Sequence, residues 1–71
     1  MTGADFIKRV RKLGRQRGVE VRLEPDAGKG SHGKLYYGTR RTVVKDRKKE
    51  LKKGTLHTMI KQLGLDPKDI L

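Results

Sequence analysis

The apolar residues of this 71-residue chain change period once, near Val19, and that change decides what kind of layer each half can build. Before it, Phe6, Ile7, Val10 and Leu13 recur at helical spacing. After it, Val19, Val21 and Leu23 alternate with Glu20, Arg22 and Glu24, as in a strand with one buried face. Thr2 and Asp5 have capping-box spacing, with Asp in place of the usual Glu, so a helix is predicted over about residues 2–17. Lys8, Arg9, Arg11, Lys12, Arg15 and Arg17 cover its other faces, and Gly14 or Gly18 ends it by permitting left-handed backbone. Pro25 has no N–H to give to a ladder and is expected to stop the strand.

Residues 25–33 hold three Gly and no large apolar side chain, so they read as a loop. Two more strands are predicted at 34–37 and 41–45, carried by Tyr36, Tyr37, Thr42, Val43 and Val44 and joined through Gly38, Thr39 and Arg40. A cationic connection over 46–53 leads to a second helix marked by Leu56, Met59, Ile60 and Leu63 and ended by Gly64. Asp66, Pro67 and Asp69 have the form of one more helical turn anchored by Ile70 and Leu71, with Asp66 as its cap and Pro67 in its first position. The simplest layered solution is an α+β domain, helix-strand-strand-strand-helix, with both helices on one face of a three-stranded antiparallel sheet and a short C-terminal helical turn.

A chain this short supports one domain, residues 1–71, with a thin core. It has no Cys, so neither a disulfide nor a thiolate metal site supports it. Apolar residues nowhere continue long enough to span a bilayer, and the first residues do not read as a signal peptide; a cytoplasmic location without membrane attachment is expected. Nineteen Lys and Arg against eight Asp and Glu leave a formal charge of +11, so the expected partner is a polyanion. Nucleic acid, an acidic lipid surface and an acidic protein all meet that description, although aromatic anchors of an interfacial helix are sparse in the first helix, with Phe6 the only Phe and no Trp.

The residue with chemical promise is His32, in Gly30-Ser31-His32-Gly33. Glycine neighbours let a ligand approach closely, and histidine is the side chain whose ordinary pKa lies near neutrality, suited to taking a proton from a ribose 2′-hydroxyl. A solvent-facing or merely hydrogen-bonded histidine is the plainer alternative. Lys29, Lys34, Arg40 and Arg41 surround the loop in sequence and would gather phosphates, and Tyr36 offers a ring to a base or to the sheet. A second basic group, Lys45, Arg47, Lys48, Lys49, Lys52 and Lys53, runs into the N-terminus of the second helix and suits either phosphate contact or a solvated surface. There is no HExxH, no paired acid and no Gly-Lys-Ser/Thr ending to the glycine loop, so neither a metal, a cofactor nor nucleotide hydrolysis is expected.

Gly30-Ser31-His32 ahead of an aromatic strand, Lys49-Glu50-Leu51-Lys52-Lys53-Gly54-Thr55-Leu56 opening the last helix and Gln62-Leu63-Gly64-Leu65 closing it together resemble the HicA toxins. The resemblance implies a fold like the double-stranded RNA-binding domain, metal-independent cleavage of mRNA with His32 essential, and a HicB-type antitoxin over the active face. Ser31 and Gly30 would orient His32. Lys29, Lys34, Tyr36, Arg40, Arg41, Lys48, Lys49, Lys52 and Lys53 would hold single-stranded RNA, with Lys29, Lys34 or Arg40 steadying the phosphoryl transition state. The competing expectation is a module of the same fold that binds RNA without cutting it.

Overall fold

In the computed structural model, which describes residues 1–25 and 32–71, helix α1 runs Gly3–Arg17. Thr2 caps it by accepting from the Asp5 N–H at 3.2 Å, while the Asp5 carboxylate accepts from the Thr2 N–H at 3.0 Å. Its C-cap is Gly18, at φ 68°. Gly14, the other candidate, stays inside the helix, where a Cβ would stand 2.4 Å from Val21 Cγ2. It is therefore a point of close helix-to-strand approach and not a stop.

Strands β1 (Val21–Pro25), β2 (Gly33–Tyr37) and β3 (Arg40–Val44) form one antiparallel sheet in the order β1-β2-β3. The strand frames differ from the sequence expectation at their starts, β2 by taking in Gly33 ahead of Lys34. β1 starts at Val21 and not Val19, because the Val19 N–H is given to Gly14 O at 2.8 Å, completing the helix exit. β3 starts at Arg40, leaving only Gly38 and Thr39 in the turn. Positive φ at Gly38 (62°) but not at Thr39 is the sign pattern of a type II′ turn, which suits the twist of a hairpin.

Hydrogen-bonded pairs alternate with non-bonded ones along an antiparallel ladder. Counting from the hairpin turn, Tyr37↔Arg40, Leu35↔Thr42 and Gly33↔Val44 are the bonded pairs between β2 and β3, and Arg22↔Tyr36 and Glu24↔Lys34 those between β1 and β2. Pro25 is thus the last residue of β1 and not a residue beyond it: its missing N–H would have pointed away from the sheet, where no ladder bond is lost.

Helix α2 (Lys53–Gln62) opens one residue inside the expected connection, and Gly64 at φ 70° lets the Leu65 N–H return to Ile60 O at 3.0 Å. Helix α3 (Pro67–Ile70) is the expected terminal turn, capped reciprocally by Asp66 and Asp69. Arg9 donates to Ile70 O at 2.8 Å and Arg17 to Asp69 Oδ1 at 2.7 Å, fastening α3 to α1.

The core joins Phe6 and Val10 of α1, Leu35 and Val44 of the sheet, and Ile60 of α2 with Leu63 just beyond it, all fully buried. Each contributes on the order of 1.5–3 kcal/mol through removal from water. Leu35 and Val44 share a face by register, so both main helices cover that face and, among the described residues, leave the other open. Thr42 is also buried there and gives its hydroxyl to Gln62 Oε1 at 2.6 Å. Among the described residues no helix is long and apolar enough to cross a membrane.

Candidate nucleic-acid interface

His32 is half-buried and immediately precedes Gly33, the first residue of β2. Because Gly33 pairs with Val44, the chain leaves β3 at this same end of the sheet, through Lys45 and the cationic connection toward α2. That connection is fixed to the start of α1. Ala4 N–H bonds Arg47 O at 3.0 Å, Gly3 N–H bonds Lys49 O at 3.3 Å, and Leu51 N–H bonds Met1 O at 2.8 Å. Thr2 and Glu50 form an isolated antiparallel bridge, and the N-terminal ammonium is paired with the Glu50 carboxylate. Within the connection the Asp46 carboxylate accepts from Lys48 N–H at 2.9 Å, closing a local turn.

The fold therefore brings one end of the sheet, the start of α1 and the start of α2 together. Lys48, Lys49, Lys52 and Lys53 are all exposed. The N-cap of α2 is Lys52, with no side-chain cap bond and no acid in the first turn. Its leading N–H groups and positive dipole end thus add to the local cationic field.

Lys34 and Arg41 are exposed on the open face of the sheet. Tyr36 lies between Arg22 and Arg41 in one cross-strand row, and the Arg22 guanidinium sits over its ring, 4.9 Å from the centroid. Glu20 and Glu24 flank Arg22 at 3.9 and 3.6 Å. Sequence reasoning did not single out Arg22. Alternation put it on the polar face, but only the strand register identifies Tyr36 as its neighbour.

Arg40 is elsewhere. It pairs with Tyr37 at the hairpin end, about 13 Å along the strand from Gly33, the residue after His32, by strand rise, and its side chain lies against Gly64, where a Cβ would stand 2.7 Å from Arg40 Nε. His57 is exposed on α2, off the buried stripe of Leu56, Met59 and Ile60. Lys29, Gly30 and Ser31 lie outside the described residues.

A family model described as the HicA toxin of bacterial toxin-antitoxin matches residues 3–65. The chain belongs to the HicA toxin family. It is therefore the toxin of a toxin-antitoxin system, and the helix-sheet-helix body with its C-terminal turn is this HicA chain's fold. No curated protein and no solved structure gives a significant match to this HicA chain.

Proposed function

We propose that this HicA toxin is an endoribonuclease that cleaves single-stranded mRNA in the cytoplasm without a metal or cofactor, with His32 as general base, and that a HicB-type antitoxin neutralises it. The observation that carries the reading is His32 in a chain of a toxin family, half-buried at the sheet end where the exposed lysines of the β3–α2 connection gather.

RNA docks through its backbone on Lys34 and Arg41 of the open sheet face and on Lys48, Lys49, Lys52 and Lys53, while Tyr36 takes a base alongside Arg22. His32 removes the proton of a 2′-hydroxyl, whose oxygen attacks the adjacent phosphorus. The P–O5′ bond breaks, leaving a 2′,3′-cyclic phosphate on one product and a 5′-hydroxyl on the other, the leaving oxygen taking its proton from solvent. The 2′-hydroxyl already stands beside its phosphate, so the substrate itself supplies proximity. Preorganised cations then stabilise the charge on the phosphoryl oxygens. Lys34, two residues from His32 in sequence, suits this role, as does Lys29; Arg40, at the far end of the strand, suits backbone contact. Gly30 and Ser31 orient the imidazole.

The experiment is incubation of the native protein and His32→Ala with single-stranded RNA in excess EDTA, following cleavage and binding together. Cleavage by the native protein alone, with cyclic-phosphate ends, supports the proposal. Equal binding by both with no product makes the chain an RNA-binding module, and a free 3′-hydroxyl excludes the 2′-hydroxyl route.

A further inference from the structure

Among the described residues the sheet has two free edges, and they are unlike. β1 carries the devices that discourage another strand: its edge ends on Pro25, which has no N–H, and Glu20 and Glu24 hold Arg22 between them. β3 has no proline, and its charges, Arg40 and Arg41, are of one sign. Its register with β2 is regular over all five residues, without a bulge or proline, and it bears no acid.

Arg41 and Val43 occupy the non-bonded positions of the β2–β3 ladder, so their N–H and C=O groups point outward from the sheet. Val43 is 48% exposed and, with Leu71, one of two large apolar side chains exposed among the described residues. It lines each of three depressions that follow this edge. One, of about 580 Å³, runs between β3 and α2 past Lys45, Thr55, Thr58, Met59 and Gln62. The others reach Lys34 and Arg41 at one end and Lys49 and Lys52 at the other.

We propose that the free edge of β3 is the docking site for an extended acidic segment of a protein partner, which adds to the sheet as a fourth strand. An edge that alternates outward donors with outward acceptors is matched by another strand. Phosphate oxygens only accept, and the ribose 2′-hydroxyls of an RNA do not alternate with acceptors at strand spacing, so an RNA backbone matches the Arg41 and Val43 N–H and C=O groups less well than a strand does. Charge decides what kind of strand. Arg41 and Lys45 flank Val43 on the open face, with Lys49 and Lys52 beyond, so a second copy of this +11 chain would be repelled and an acidic strand attracted. The occupant alternates acidic residues, facing Arg41 and Lys45, with small or apolar ones entering the groove toward Thr58 and Met59.

That such a protein exists rests on the toxin-antitoxin membership; the edge itself is independent of the ribonuclease reading. The test uses the full chain, isotope-labelled, with a synthetic peptide alternating Glu with Val and Thr. Expected are amide shifts and slowed hydrogen exchange at Arg41 and Val43. Val43→Pro removes an outward N–H without touching the ladder and should weaken the peptide about tenfold, the effect of one lost backbone hydrogen bond, while any RNA cleavage is kept. The same peptide N-methylated at alternate residues should fail against the unaltered protein, a control that does not depend on the variant folding. Equal binding of the methylated peptide, or shifts centred away from β3, overturns the proposal. So does an oligouridylate that protects the Arg41 and Val43 amides where the peptide does not. Absence of RNA cleavage with peptide binding intact removes the ribonuclease reading and leaves the docking edge standing.

Discussion

Gly3 and Gly54 both sit in the first turn of a helix, and the same substitution should move stability in opposite directions. A Cβ at Gly3 would stand 2.7 Å from Asp46 O, 2.9 Å from Arg47 Cα and 2.9 Å from Val44 Cγ1. Two of those atoms are backbone, in the segment that Ala4 and Gly3 hold by hydrogen bonds, so no flexible side chain can yield. Overpacking of this kind costs about 1–3 kcal/mol, offset by at most about 0.5–1 kcal/mol from replacing a helical glycine. Gly3→Ala is therefore expected to lose about 1–2 kcal/mol. At Gly54 a Cβ would meet nothing within 4 Å, so Gly54→Ala keeps the gain and should be stabilised by up to about 1 kcal/mol. A domain of this size has a total stability of roughly 4–10 kcal/mol. The loss should lower the melting temperature by about 4–15 °C, at ~4–8 °C per kcal/mol. Urea unfolding of the two variants beside the parent measures both signs. A Gly3→Ala protein as stable as the parent would refute the inference that the connection is rigidly seated on α1.

Three further outcomes are expected. Leu35→Ala, at the fully buried centre of the sheet, should lose about 2–5 kcal/mol in urea unfolding, enough to leave much of the chain unfolded at 37 °C. Asp5 and Asp69 are both held below the ordinary carboxylate range, first by backbone N–H groups at Thr2 and Asp66, and Asp69 also by Arg17. Their stabilisation is present above the unfolded carboxylate pKa of about 3.9 and lost as pH falls through the lowered folded values, so the urea midpoint should drop below about pH 4, and less steeply in Asp69→Asn. Lys49→Ala should weaken RNA binding alike across sequences and reduce the slope of log affinity against log salt by about one, measured by fluorescence anisotropy; an unchanged slope removes Lys49 from the phosphate contacts.

What the sequence made legible was whatever neighbouring residues decide among themselves. The starts of α1 and α3 are written in Thr2 with Asp5 and in Asp66 with Pro67, because cap and first turn lie within four positions of each other. The core stripe of Phe6, Ile7, Val10 and Leu13 follows from period alone. The misjudged strand frames depended on distant partners: Val19 is drawn out of β1 by a helix carbonyl, and Pro25 is tolerated because of which way its nitrogen faces in a ladder with Gly33. The candidate site divides the same way. His32 stood out through its glycine-rich surroundings. The seating of the β3–α2 connection by Thr2 and Glu50, the stacking of Arg22 on Tyr36 and the packing of Arg40 on Gly64 each join residues far apart in sequence, with no periodic pattern to announce them.

The one-sided architecture also explains why so small a body can keep several surfaces free. Two helices on one face of three strands bury enough apolar surface to build a core, yet among the described residues they leave the other face and the β3 edge uncovered. An open edge ordinarily invites pairing between copies. Here each copy carries +11, and edge-to-edge contact would set Arg41 and Lys45 against their counterparts. A charge of that sign favours a polyanion at the same surface where it opposes contact between two copies. An acidic partner reverses the sign of that repulsion, so binding it relieves self-repulsion within the toxin and stabilises the folded chain by mass action.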